Sequence, residues 1–272
     1  MIDVRGLAHV YADGTRAIDD VSLAIGAGES IAIIGQNGSG KSTLVRHFNG
    51  LLHATEGEVF VDGANVRGRR VAHLAATVGL LFQDPDRQIF AGRVRAEVEF
   101  GPRNLGVPAA KLSATVAAAL EATGLAGDAN ANPYDLGYSR RKLLALASVL
   151  AMQTPVVVLD EPTTGQDARG LARVQRIVTD LTAAGRTVIG ISHDMRFVAE
   201  TFHRVVVMRA GRIVLDGSPQ TVFAEESWPT LASTYLEPPL PARVGARLGL
   251  GLATPTEAAL VTALAAATAS GT

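Results

Sequence analysis

Ser30-Ile31-Ala32-Ile33-Ile34 runs directly into Gly35-Gln36-Asn37-Gly38-Ser39-Gly40-Lys41-Ser42-Thr43, and Leu44-Val45-Arg46-His47-Phe48 follows. The first run is apolar and reads as a buried strand; the third continues as a helix. Between them lies the spacing G-x-x-x-x-G-K-[ST], which between a strand and a helix is a phosphate-binding loop. Gly35, Gly38 and Gly40 let the backbone curl so that successive N–H groups point at one anion. The helix after Lys41 adds its positive end. Lys41 is a flexible point charge able to reach β- and γ-phosphates, and the Ser42 hydroxyl is the expected magnesium ligand. Gln36, Asn37, Ser39 and Thr43 complete the loop. Only three of the 25 basic residues are lysine, at 41, 111 and 142, and one of them occupies the required place. The expected ligand is a nucleoside triphosphate with magnesium.

Working outward, 272 residues suffice for one large α/β domain and a small appendage. A net charge of −1 gives no electrostatic case for nucleic acid. The absence of cysteine excludes a disulfide framework and thiolate metal chemistry. The N-terminus lacks the apolar stretch of a signal peptide, and an intracellular setting fits a nucleotide-dependent protein. Hydrophobic content is 47%, so a membrane span must be weighed. The best candidate, Leu143 to Leu159, is interrupted by Ser148, Gln153, Thr154 and Pro155, and reads as two buried elements.

Residues 2–34 carry short alternating runs between turn signals, which reads as antiparallel β structure leading into the loop's strand. Glu58–Gly63 and Val78–Gln83 are further strand candidates. Residues 108–152 read as largely helical, with a break at Asn130-Ala131-Asn132-Pro133. The runs Val156–Asp160 and Thr187–Ser192 flank a helix over 168–184, a pattern that indicates a parallel sheet covered on both faces. Residues 204–217 read as a hairpin about Ala210-Gly211. Pro238-Pro239-Leu240-Pro241 reads as a linker before an Ala-rich helix near 256–268.

A second constellation closes the strand Val156–Asp160. An apolar strand that ends in Asp160-Glu161 places both acids at the edge where open α/β sheets bind ligands. Asp160 is expected to hold magnesium directly or through water, and Glu161 to polarise the water that attacks the γ-phosphate. His193 follows the next strand at the same edge, where a γ-phosphate sensor would sit. Gln83 also ends a strand, within reach of the magnesium or of the attacking water. Tyr11 lies upstream in a strand–turn region, where its ring is expected to stack on adenine.

The order Tyr11, Gly35–Thr43, Gln83, Val156–Glu161, His193 resembles the ATP-binding cassette of ABC transporters over residues 1–220. The resemblance implies a P-loop NTPase fold of class α/β. Its parts are a mainly parallel core sheet, an N-terminal antiparallel β subdomain and a helical signature subdomain over about 84–152. Residues 221–272 would be a C-terminal extension for dimerisation or docking. It also implies ATP and Mg2+ as ligands, Asp167 as the D-loop aspartate and Thr164–Asp167 as that loop. Phe82–Phe90 and Phe100–Gly106 are similar to the ATPase subunits of energy-coupling factor importers of transition metals or vitamins. That family implies a second ATPase subunit, a transmembrane coupling protein and a substrate-binding membrane subunit. It places the cassette at the cytoplasmic face of the cell membrane, as a peripheral subunit, with no nucleic acid involved.

One departure stands out. The family signature Leu-Ser-Gly-Gly-Gln aligns with Leu136-Gly137-Tyr138-Ser139-Arg140, so glycine replaces the serine expected to contact the partner's nucleotide in trans, and arginine replaces the glutamine. Ser139 could compensate if the loop shifts. The altered signature favours a heterodimer. Competing readings are a soluble, non-transport ABC ATPase and a regulatory cassette with a weak composite site; the presumed base at Glu161 argues against the latter.

Overall fold

Alternation along apolar strands sets the architecture. In the computed structural model, which describes residues 1–250 and 253–270, the strands are β1 (Ile2–Val10), β2 (Arg16–Ile25), β3 (Ser30–Ile34), β4 (Glu56–Val61), β5 (Ala64–Asn65), β6 (Val78–Leu81), β7 (Val156–Asp160), β8 (Thr187–Ile191), β9 (Arg204–Arg209) and β10 (Arg212–Gly217). The helices are α1 (Lys41–Phe48), α2 (Val71–Leu74), α3 (Val94–Asn104), α4 (Ala109–Thr123), α5 (Tyr138–Ala151), α6 (Ala168–Ala183), α7 (Met195–Thr201), α8 (Pro219–Val222), α9 (Trp228–Ala232), α10 (Leu240–Arg247) and α11 (Glu257–Ser270).

Two sheets form. An antiparallel one runs β2-β1-β4-β5, and a larger one runs β10-β9-β3-β8-β7-β6. In the larger sheet only β10 is antiparallel to its neighbour. Its inner strands are buried on both faces and read as unbroken apolar runs for that reason. Side chains divide by parity. Ala32, Ile34, Val157, Leu159, Val188, Val205 and Val207 join the helices α3–α6 in one core. Ile31, Ile33, Val156, Val158, Ile189, Ile191, Val206 and Met208 join α1 and the antiparallel sheet in another.

Register then positions the chemistry. Ile33 and Asp160 both pair with Ile191, and Leu81 pairs with Leu159. The C-terminal ends of β3, β8, β7 and β6 therefore lie along one edge, as parallel pairing requires.

Two segments differ from expectation. Helical structure between the sheet halves starts at Val94, ahead of residue 108; Gly101 and Pro102 hide α3 in the sequence. Gly101 is needed there, because a Cβ would sit 2.6 Å from Met152 Cγ. The linker Pro238–Pro241 is in part the first turn of α10, with Pro241 near its start. Proline is tolerated there because the first helical N–H groups have no intrahelical partner. No described helix is long and apolar enough to cross a membrane. Leu143–Leu159 divides into α5 and β7, as the interrupting residues require.

Candidate functional site

The phosphate loop leaves β3 through Gly35 at φ 150° and enters α1 through Gly40 at φ 101°. Neither accepts a side chain: a Cβ at Gly35 would meet the Met208 carbonyl at 2.2 Å, and one at Gly40 the Ala17 carbonyl at 2.5 Å. Loop residues Asn37 to Thr43 line a cavity of about 400 Å³ together with Gln83, Asp160, Glu161, Ile191 and His193. The four strand ends thus deliver their polar residues to one place.

Lys41 is folded onto its own loop. Its Nζ donates to the Gly35 carbonyl at 2.6 Å and the Gln36 carbonyl at 2.9 Å. Burial lowers its pKa, and the charges of Glu161 and Asp160 oppose that shift. Asp160 is 2% exposed, and burial raises its pKa against the pull of the Ser42 hydroxyl beside it. Its Oδ1 is buried without a hydrogen-bond partner. A bare carboxylate oxygen beside a serine hydroxyl is a hard-oxygen donor pair that fits a magnesium ion.

Glu161 sits in the left-handed region, at φ 52°, and is 4% exposed. Burial, then the charge of Asp160, pushes its pKa up to about 7. His193 Nε2 approaches Glu161 Oε1 at 3.0 Å without hydrogen-bond alignment, and burial lowers the imidazole's pKa. Glu161 therefore holds a buried, basic oxygen at the mouth of the phosphate loop.

Tyr11 is tied to this loop from behind: its hydroxyl lies 3.0 Å from Thr43 Oγ1. It does not line the cavity, and its ring meets His9 edge-on with centroids 4.7 Å apart. Asp167 caps α6, accepting from the Gly170 N–H at 2.7 Å. The loop Leu136–Arg140 lies across α5's start, away from the cavity of its own chain. Ser139 does not offer a free hydroxyl: it donates to Gln166 Oε1 at 2.9 Å. Arg140 pairs with Asp128, and Arg141 donates to the Leu136 carbonyl.

Two residues without a sequence-derived role belong to the surroundings of the site. Lys142 is 1% exposed and donates from Nζ to the Gln83 carbonyl at 2.9 Å. Its signal was a lysine in register with Leu146 and Val149 on the apolar stripe of α5. His47, 0% exposed, lies 2.8 Å from the Thr43 carbonyl through Nδ1 and 3.2 Å from His9 Nδ1 through Nε2. Beside the site lies a groove of about 530 Å³ lined by Arg46, Leu51, Leu52, Phe82, Gln83, Asp84 and Arg87. Gln83 borders both spaces.

The sequence profile of the ABC transporter family matches residues 18–164. The energy-coupling factor transporter ATP-binding protein EcfA of Methanocaldococcus jannaschii is 39% identical over 227 residues, covering 83% of this chain and 81% of that one. The putative ABC transporter ATP-binding protein TTE1589 of Caldanaerobacter subterraneus is 41% identical over 249 residues, 92% of this chain; the chain spans only 43% of that relative's length. Among solved structures, cbiO1 from Clostridium perfringens, part of the ABC transporter complex cbiONQ, superposes with a TM-score of 0.75. It is 34% identical, and the match covers 91% of this chain and 98% of that one. The fold and the edge-on arrangement of its loops define a P-loop ATPase cassette. The chain belongs to the ATP-binding cassette family of ABC transporters.

Proposed function

We propose that this chain is the ATP-hydrolysing subunit of an importer of the energy-coupling factor type, taking up a transition-metal ion or a vitamin. The observation that carries the reading is the single cavity where the phosphate loop, Gln83, Asp160, Glu161 and His193 converge. The backbone N–H groups of the loop and the start of α1 cradle the phosphates. Lys41 exchanges its carbonyl partners for β- and γ-phosphate oxygens. Ser42 and Asp160 would hold magnesium, with Gln83 lining the same cavity, and the ion would supply charge neutralisation to the phosphates. Glu161 takes a proton from water as the water oxygen bonds to the γ-phosphorus. The bond from that phosphorus to the bridging oxygen breaks, releasing ADP and phosphate. His193 orients the γ-phosphate side of this arrangement. Tyr11 is assigned to the adenine through its ring.

The relative named EcfA and the structural neighbour from an ABC transporter complex support a membrane partner for this chain. The groove bordered by Leu51, Phe82 and Gln83 is the surface assigned to the coupling protein. A peripheral position at the cytoplasmic face follows from that assignment, with a separate membrane subunit recognising the substrate. Residues 1–220 form the catalytic cassette in this reading, with the helical subdomain over about 84–152 and the extension over 221–272. Gly137 and the engaged Ser139 favour a heterodimer, in which Leu136–Arg140 faces the partner's nucleotide.

The test is magnesium-dependent ATP hydrolysis by the purified chain, alone and mixed with a candidate second cassette, followed by co-purification from membranes. Hydrolysis that rises on mixing, with integral membrane subunits recovered, supports the proposal. Full activity from the chain alone counts against the heterodimer, and recovery without any membrane subunit counts against the importer.

A further inference from the structure

Gln166 makes a reciprocal contact with Ser139. The Ser139 hydroxyl donates to its Oε1 at 2.9 Å, and its Nε2 donates to the Ser139 carbonyl at 3.0 Å. A carbonyl can only accept, so the amide orientation is fixed by the pair. Beside it, the Tyr138 ring covers Gly165: a Cβ there would stand 2.9 Å from Tyr138 Cδ1 and Cε1. Room for the Gln166 side chain is made on the first turn of α6, where a Cβ at Gly170 would stand 2.3 Å from Gln166 Oε1. Gly170 lies inside α6 with no positive φ. Its backbone does not require glycine; the folded-back glutamine does.

This clasp joins α5 to the loop that begins at Glu161. That loop has little freedom: Thr164 N–H donates to the Glu161 carbonyl at 3.4 Å and Gln166 N–H to the Thr163 carbonyl at 3.1 Å. Asp167 then fixes its far end as the cap of α6. Three residues on from Ser139 in α5, Lys142 holds the Gln83 carbonyl. One helical turn therefore touches the loops on two sides of the cavity.

We propose that Gln166 is a positioning residue that clamps the first turn of α5 to the loop carrying Glu161, and so holds that carboxylate over the phosphate loop. The proposal rests on the reading that Glu161 acts in ATP hydrolysis here. The clamp also keeps the Ser139 hydroxyl turned to its own chain.

Two variants remove the clamp by different routes. Gln166→Leu keeps the bulk and loses both polar groups. Gly170→Ala displaces the glutamine while favouring the helix, so it retains or raises the melting temperature. Each is expected to lower kcat about three- to tenfold with KM for ATP within about twofold, because the lost hydrogen bonds lie outside the nucleotide cradle. Hydrogen exchange of residues 136–142 and 162–167 rises together in both variants. Parental kcat in both variants overturns the proposal. If the parent itself hydrolyses no ATP, the ATPase reading fails on its own. Exchange then decides the clamp: faster exchange in both segments supports it, and unchanged exchange overturns it.

Discussion

Glu161 is where position and basicity meet. Its Oε1 is buried without a hydrogen-bond partner and its carboxyl has a pKa pushed up to about 7, so a water between Oε1 and a γ-phosphate would find an available acceptor. Glu161→Gln preserves shape and removes that basicity; hydrolysis is expected to fall at least about 100-fold while ATP binding stays within about twofold. Turnover and nucleotide titration on the same preparation check both halves. Asp160 and Glu161 were legible because two acids ending an apolar strand have few structural uses. Gln83 and His193 were legible by the same position at a strand end. Lys142 and Gln166 were not, because their roles are tertiary contacts across 59 and 27 positions of sequence. The contacts of Tyr11 were equally hidden, since its partners His9 and Thr43 meet it only in the fold.

Among the elements, α1 carries the clearest linkage between burial and pH. His47 is packed between its own Thr43 carbonyl and His9, whose Nδ1 also lies 3.0 Å from the His53 carbonyl. Burial first, against the bond to Thr43 and with the charge of His9, depresses its pKa to about 4. The folded protein thus binds fewer protons than the unfolded chain between the ordinary histidine value and about 4. Stability from this group is complete above about pH 6.5 and is lost as pH falls, by about 2 kcal/mol at pH 5. His47→Asn is expected to flatten the dependence by that amount, read from urea midpoints at pH 7 and 5. The strands, α1, α5 and α6 were readable because the apolar period runs along each of them, and Asp167 caps α6. By contrast α3 was concealed by a glycine and a proline, of which Gly101 lies close against Met152 at the end of α5.

Across the molecule, the extension is not a free appendage. Phe223, Leu231 and Ala242 are buried in the core that contains Ala32 and Ile34, and Arg196 pairs with Glu257 at 3.1 Å. Phe223→Ala is expected to cost about 3 kcal/mol or more, measured as a lowered thermal midpoint. The same core would be opened by ending the chain at residue 220. Composition marked the change of pattern near Pro238 but could not report where the extension packs. The sheet order has a further consequence, in time. Ile31 of the phosphate-loop strand pairs with Ile189 and Arg204, and with nothing earlier in its sheet. At ribosomal rates of about 5–20 residues per second, that strand waits roughly 8 to 30 seconds for its first neighbour. The segment that decides what the protein binds is thus made well ahead of the strands that enclose it, and a nascent chain must keep it from pairing with anything else.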